Sequence, residues 1–438
     1  MKGGRSFAVG MCLAVALAVS YGMRAAHAWP AIYTVAAATA PAGDAGAIAR
    51  GAKLAALGDC MTCHTAQGGA PFAGGRPLAT PFGVIYSSNI TPDKDTGIGG
   101  WPLEAFTRAM RYGVSRDGHR LYPAFPYPHF TKMSDADIAS LYAWLMTRDA
   151  VHARAPANAL TFPLGFRPLM AVWDWLYLHP GPEPQAAPNA DANADANADA
   201  DVDAIARGRY LVTSVGHCGA CHTPLKRLGA EDDAHALQGG TLEGWDAPSL
   251  VNLAKRPRPW TQAQLASYLR TGFASEHGAA AGPMRPVTEL LANASPADVD
   301  AIAAYLLSLD SETNPAPLKT AAVSHPALHG NGATLFAAAC AACHGETAPL
   351  MPNSERPSLA LSTAVNAASP RNVVRILLDG IAWQGSAAAH FMPPFADTFT
   401  NAQIADLANY TRARFSTQGA WPALDADAVA RYRKEGTP

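Results

Sequence analysis

Three stretches of the chain share one pattern of polar and apolar positions: SDADIASLYAWL (134–145), SPADVDAIAAYL (295–306) and TNAQIADLANYT (400–411). Each begins with a hydroxyl residue and continues with apolar residues at helical spacing. Ile138/Leu141, Val299/Ile302 and Ile404/Leu407 fall on one face in each stretch, because residues three and four apart meet on a helix. Ser134, Ser295 and Thr400 read as N-caps, with Asp137, Asp298 and Gln403 three residues later completing capping boxes. Trp144, Tyr305 and Tyr410 occupy the same slot and read as core packing against a preceding helix. Small-residue helical stretches precede them at 44–57, 204–215 and 332–339. The frames mark an internal repeat of about a hundred residues.

Between the repeats the pattern stops. Residues 181–203 are a Pro/Ala/Asn/Asp tract with nothing to pack, which reads as a linker. A second boundary lies near 311–326, rich in Pro, Ser and Thr. The expected domains are therefore 43–150, 204–311 and 324–416. Residues 151–203 hold the linker and, ahead of it, an aromatic strap from Thr161 to Pro180. That strap packs across the first domain or presents a partner or membrane contact, since exposed aromatic patches mark binding.

Composition narrows the class. Charged residues make up 16% of 438 residues, and Lys plus Arg (33) nearly balances Asp plus Glu (35) for a net charge of −2. A globally basic nucleic-acid binder and an acidic disordered chain are both excluded. Gly (37) and Pro (35) predict many turns and defined loops. Residues 1–28 run from Lys2 and Arg5 through an apolar stretch to Ala26-His27-Ala28, the order of an export signal cleaved before Trp29. Cys12 would leave with it. No apolar run long enough to span a bilayer follows.

Six cysteines remain, in three identical arrangements: Cys60-Met61-Thr62-Cys63-His64, Cys218-Gly219-Ala220-Cys221-His222 and Cys340-Ala341-Ala342-Cys343-His344. Two thiols three positions apart add to the two vinyl groups of one haem, and the adjacent histidine reaches its iron. A thioredoxin-like pair requires a βαβ setting and no following histidine. Zinc sites and plain disulfides leave the three histidines without a role. The expectation is three covalently bound haem c groups, on Cys60/Cys63, Cys218/Cys221 and Cys340/Cys343, with His64, His222 and His344 as iron ligands.

A haem used for electron transfer has its sixth position filled, commonly by methionine. Met284 in AGPMRP and Met392 in HFMPPF lie in Pro-containing loops just ahead of the closing helices. The corresponding slot in the first repeat is Phe125, in LYPAFPYPHF, and phenylalanine cannot ligate. His129, Met133 and an open position are the alternatives. Met133 also suits a hydrophobic staple before the Ser134 cap, and His119 reads as a surface residue of the DGHR turn. An open position would support a second class of function, a peroxidase-type haem enzyme or a small-ligand sensor. No Ser/His/Asp set, phosphate loop or dinucleotide fingerprint is present.

With YSSNITPDKDTGIGGW (86–101), HCGACHTPLKRLGA (217–230), GWDAPSL (244–250) and MPPFADTFTNAQIADLANY (392–410), the chain resembles the three-haem cytochrome c subunits of membrane-associated bacterial periplasmic dehydrogenases. The resemblance implies an all-α fold of three tandem class I cytochrome c domains. It implies a catalytic dehydrogenase partner, with ubiquinone, a terminal oxidase or another cytochrome as acceptor. It also implies peripheral attachment at the outer face of the inner membrane. Members serving alcohol dehydrogenases carry Met where Phe125 stands. The FPYPHFT version looks more like subunits accompanying molybdenum hydroxylases that act on aldehydes or N-heterocycles.

Overall fold

The computed structural model describes residues 29–33, 44–183, 196–311, 330–345, 358–381, 391–422 and 424–435. The export signal expected at 1–28, with Cys12, lies outside them, as do most of the boundary near 311–326 and part of the 181–203 linker. The chain forms two compact units. One holds the residues up to 185 together with 212–217 and 225–230, and the other holds 186–211, 218–224 and everything from 231 onward.

One helix crossing recurs three times. Ala45–Leu57 meets Asp135–Leu145, Ala196–Thr213 meets Pro296–Ser308, and Asn331–Ala339 meets Asn401–Phe415. At each crossing a glycine lets the backbones touch. A Cβ at Gly51 would lie 2.0 Å from the carbonyl oxygen of Ser140, at Gly208 1.9 Å from that of Ala301, and at Gly332 2.3 Å from that of Asp406. No side chain fits such gaps. The Cβ atoms of Trp144, Tyr305 and Tyr410 are also among the nearest atoms, so the shared aromatic slot does pack on the N-terminal helix. In two of the three crossings the residue just before the glycine adds an ion pair: Arg50 with Asp137, and Arg207 Nε with Asp298 at 2.9 Å. Both arginines are partly exposed, so each pair is worth about 1 kcal/mol or less.

The caps are where the pattern placed them. Asp137, Asp298 and Gln403 donate their backbone N–H groups to Ser134, Ser295 and Thr400. Thr400–Gln403 has both halves of a capping box, and Thr261–Gln264 repeats it on the helix Gln262–Thr271.

The all-α expectation needs an addition: short antiparallel pairings. Pro77–Thr80 pairs with Gly83–Tyr86, which also takes Ala159–Leu160 on its other edge. Gly240–Leu242 pairs with Trp245–Ala247, and Phe273–Ala274 with Gly278–Ala279. Glu243 (φ 48°) and Gly244 (φ 75°) form the middle of the second hairpin, whose two left-handed residues match the twist of the paired strands.

Two elements run past the expected limits. The low-complexity tract turns helical at Ala196, once its prolines have ended at Pro188 and alanine dominates. The third repeat does not close at 416. Trp421, Leu424, Ala428 and Val429 are buried in one cluster with Phe336, Ile404 and Leu407, so this core runs into the helix Ala426–Glu435.

The strap is packed on the first unit. In the helix Leu169–Tyr177, Met170 and Trp173 are buried with Tyr122 and Tyr127. Tyr127 donates its hydroxyl to Asp174 Oδ1 at 2.6 Å, and Arg120 pairs with the other carboxylate oxygen.

Candidate haem-binding sites

Each Cys-x-x-Cys-His run forms a single helical turn: Cys60–His64, Gly219–His222 capped by Cys218, and Ala341–His344 capped by Cys340. Asp59 (φ 49°) and His217 (φ 36°), immediately ahead of the first two runs, are left-handed. That kink turns the chain out of the preceding long helix and into the short one.

Around the first two histidines the hydrogen bonds match atom for atom. His64 Nδ1 lies 2.7 Å from the carbonyl of Ser88, and His222 Nδ1 2.6 Å from that of Pro248. The His64 and His222 carbonyls each accept a glycine N–H at 2.7 Å, from Gly74 and Gly239. The following threonines, Thr65 and Thr223, accept from Phe72 N and Leu237 N at 3.1 and 3.0 Å. Burial pushes both imidazoles below their ordinary pKa, against the raising effect of the carbonyl. A neutral ring that donates Nδ1–H to a carbonyl keeps its lone pair on Nε2, the tautomer an iron ligand needs. The stretch after His344 that would supply the same frame, 346–357, lies outside the described residues.

No disulfide joins the six cysteines of the three runs. Burial pushes Cys60 up to about 12, helped by Asp59 and Cys63, and pushes Cys218 and Cys340 up to about 11. Burial thus acts against the thiolate form that exchange chemistry uses.

Met284 opens the helix Met284–Leu291 behind Pro283. Its loop is seated on the hairpin that follows the second run: a Cβ on Gly282 (φ 53°) would lie 2.3 Å from the Trp245 ring. Met392 is fixed through its backbone, exchanging hydrogen bonds of 2.7 and 2.8 Å with Ile381. Gly380 (φ 70°) lets that strand pass, since its Cβ would sit 2.4 Å from the Met392 carbonyl. Both methionines are half-buried.

In the first repeat, Phe125 packs on Phe130 at 5.4 Å. His129 lies on the turn Tyr127–Phe130, buried, with Nδ1 2.9 Å from the Thr213 carbonyl. Met133 is fully buried at the position before the Ser134 cap, and its carbonyl accepts from Arg111 at 3.0 Å. His119 is partly exposed, with Nδ1 2.5 Å from Asp117.

One polar atom points to a missing constituent. His277, on the turn before Met284, is buried and stacked on Trp260 at 3.5 Å between ring centroids. Its Nε2 has no hydrogen-bond partner among the described residues. Burial, with Arg258 and Arg256 nearby, lowers this ring to about 4. Buried nitrogens without a partner are uncommon, and a cofactor with peripheral carboxylates would give this one a partner. Thiols at the right spacing, Nε2-competent histidines and this orphan all fit a covalent haem.

Sequence reasoning did not find the Ser88 and Pro248 carbonyls, the paired threonines or the crossing glycines. The recurrence of His-Thr in the first two runs was the available signal.

Comparison with known proteins identifies the family. The Cytochrome c family model matches residues 48–149 and 205–310, and that of cytochrome c oxidase, cbb3-type, subunit III matches 327–410. The chain is 37% identical over 416 residues to the gluconate 2-dehydrogenase cytochrome c subunit of Pantoea cypripedii, covering 89% of this chain and 90% of that one. It is 32% identical over 417 residues to the fructose dehydrogenase cytochrome subunit of Gluconobacter japonicus, covering 89% and 83%. It is 43% identical over 394 residues to a nicotinate dehydrogenase subunit of Pseudomonas putida, covering 88% of this chain but spanning only 32% of that longer protein. Repeated cytochrome c domains of this kind carry covalent haem c, and the chain belongs to the family of dehydrogenase cytochrome c subunits.

Proposed function

We propose that the chain is a three-haem electron carrier that takes electrons from a catalytic dehydrogenase subunit and delivers them to ubiquinone or another respiratory acceptor. The observation that carries this is the matched frame around His64 and His222, which presents Nε2 of each ring from an identical hydrogen-bonded turn. Bound haem supplies a one-electron ferric/ferrous change at each site. Cys60/Cys63, Cys218/Cys221 and Cys340/Cys343 tether the three groups, and His64, His222 and His344 face the irons. Met284 and Met392 would supply the remaining protein ligand in the second and third sites. In the first site His129 would supply it. The His129 ring has the same Nδ1-to-carbonyl bond as His64 and His222, whereas Met133 is committed to the core.

The three domains follow the three helix crossings. The segment 1–28 directs export, and the protein works in the periplasm at the outer face of the inner membrane. Among the described residues no helix is long and apolar enough to cross a membrane, which suits peripheral attachment. The partner is a molybdenum-hydroxylase-type dehydrogenase acting on an N-heterocyclic acid or an aldehyde. The 43% identity to a nicotinate dehydrogenase subunit favours the first.

The test is anaerobic reduction. The haem-loaded chain, mixed with its co-purified catalytic subunit and nicotinate, develops the ferrous α-band, and gluconate in its place leaves the spectrum ferric. Reduction driven by gluconate or an alcohol assigns a different partner.

A further inference from the structure

The strap carries an exposed apolar face, with its polarity inverted. Of the ten large hydrophobic side chains left exposed among the described residues, six lie in two segments: Phe162, Phe166, Trp175 and Leu176, with Leu225 and Leu228. The segments touch within the first unit, where Trp173 Nε1 donates to the Leu228 carbonyl at 2.9 Å and Lys226 sits over the Tyr177 ring. In the helix Leu169–Tyr177 the one charged residue, Asp174, is buried and bonded to Arg120 and Tyr127, while Trp175 is 75% exposed. Phe162 stands out at 93%. A water-facing helix does the opposite.

Within these two segments the charges that are not buried share one sign. Residues 159–180 and 224–230 carry Arg167, Lys226 and Arg227 against the single buried carboxylate of Asp174. The acidic run Glu231-Asp232-Asp233 follows directly in the chain, with the Asp232 N–H donating to the Pro224 carbonyl at 2.8 Å. Aromatic side chains flanked by Lys and Arg settle at the level of lipid headgroups, ring inward and cation toward phosphate.

We propose that this face docks on an anionic bilayer surface, with Phe162 and Trp175 entering the headgroup boundary and Arg167, Lys226 and Arg227 meeting lipid phosphates. The proposal rests on the peripheral location given above and names the surface responsible for it. Aromatic insertion contributes first and charge second, so binding persists, weakened, on zwitterionic lipid.

The test uses the haem-loaded protein and the double variant Phe162→Ser/Trp175→Ser. Both are sedimented with vesicles of phosphatidylglycerol and phosphatidylethanolamine, and hydrogen exchange is followed across 161–178. The wild type co-sediments and its exchange in 161–178 slows on vesicles. The variant partitions at least tenfold less, with an unchanged haem spectrum and unchanged reduction by the catalytic subunit. Equal sedimentation of both proteins, or binding without protection of 161–178, overturns the proposal. Unchanged vesicle binding with loss of the catalytic subunit also overturns it and makes the face a protein interface. Loss of haem or of reduction in the wild type would instead count against the electron-carrier reading.

Discussion

His129 Nδ1 lies 2.9 Å from the carbonyl oxygen of Thr213, 84 residues away along the chain. The bond fixes a buried ring on the short turn Tyr127–Phe130, just after Phe125, which stands in the slot of a methionine. Replacing His129 by Ala is expected to alter the absorption spectrum of one haem in three. Replacing Met133 by Ala leaves all three spectra as they are. That change instead costs about 2–5 kcal/mol of stability, as a fully buried methionine truncated to alanine does. Spectra and denaturant melts of the two variants separate the roles, and the reverse spectral pattern assigns the ligand to Met133.

The crossing glycines make a second prediction. Gly208→Ala places a Cβ 1.9 Å from the Ala301 carbonyl, against backbone that cannot yield. A loss of roughly 3 kcal/mol is expected, the upper end for overpacking, read as a lower guanidinium midpoint. Gly330→Ala, at a position with open space around it, serves as the control and shifts the midpoint by less than about 1 kcal/mol.

Asp174 ties the strap down. Removing the carboxylate with Asp174→Ala leaves Arg120 and the Tyr127 hydroxyl buried without it, which costs about 3–5 kcal/mol for a broken buried pair. Limited proteolysis of this variant is expected to cut within 161–180 well before the wild type is cut there. Cleavage at equal rates would show that the strap is held by its apolar contacts alone.

The loop that carries the Ser88 carbonyl should weaken in acid. The Thr96 hydroxyl and amide, with a smaller effect of His152, hold the Asp93 carboxyl below the usual range. Thr96 Oγ1 in turn accepts from Asn89 Nδ2, one residue from Ser88. A carboxyl depressed in the folded state stabilises above its unfolded pKa, and that contribution is lost as pH falls from about 4 through the folded value. Asp93→Asn is expected to flatten this acid-side decline in thermal unfolding, and a decline as steep as the wild type's assigns it to other carboxyls.

Much of this was legible in the chain because the chemistry demands fixed residues at fixed spacing. Covalent attachment needs two cysteines and a histidine in one turn, and the hydroxyl caps at Ser134, Ser295 and Thr400 announce the closing helices. The carbonyls of Ser88 and Pro248 were not legible, since every residue has a carbonyl and only the folded path brings it to His64 or His222. Gly51 reads locally as a weak helix former, and its reason lies at Ser140. The arms of the 240–247 hairpin are three residues each, too short for an alternating pattern to show. The low-complexity tract read as linker throughout because polar composition says nothing against a helix once proline is absent.

Haem stoichiometry tests the central claim most directly. An alkaline pyridine assay on the purified protein, set against its concentration by amino-acid analysis, is expected to give three c-type haems per chain. It should fall to two when both cysteines of any one run are replaced by alanine. Two or fewer in the wild type, or no loss on removing Cys340 and Cys343, would contradict a chain with three covalent haem sites.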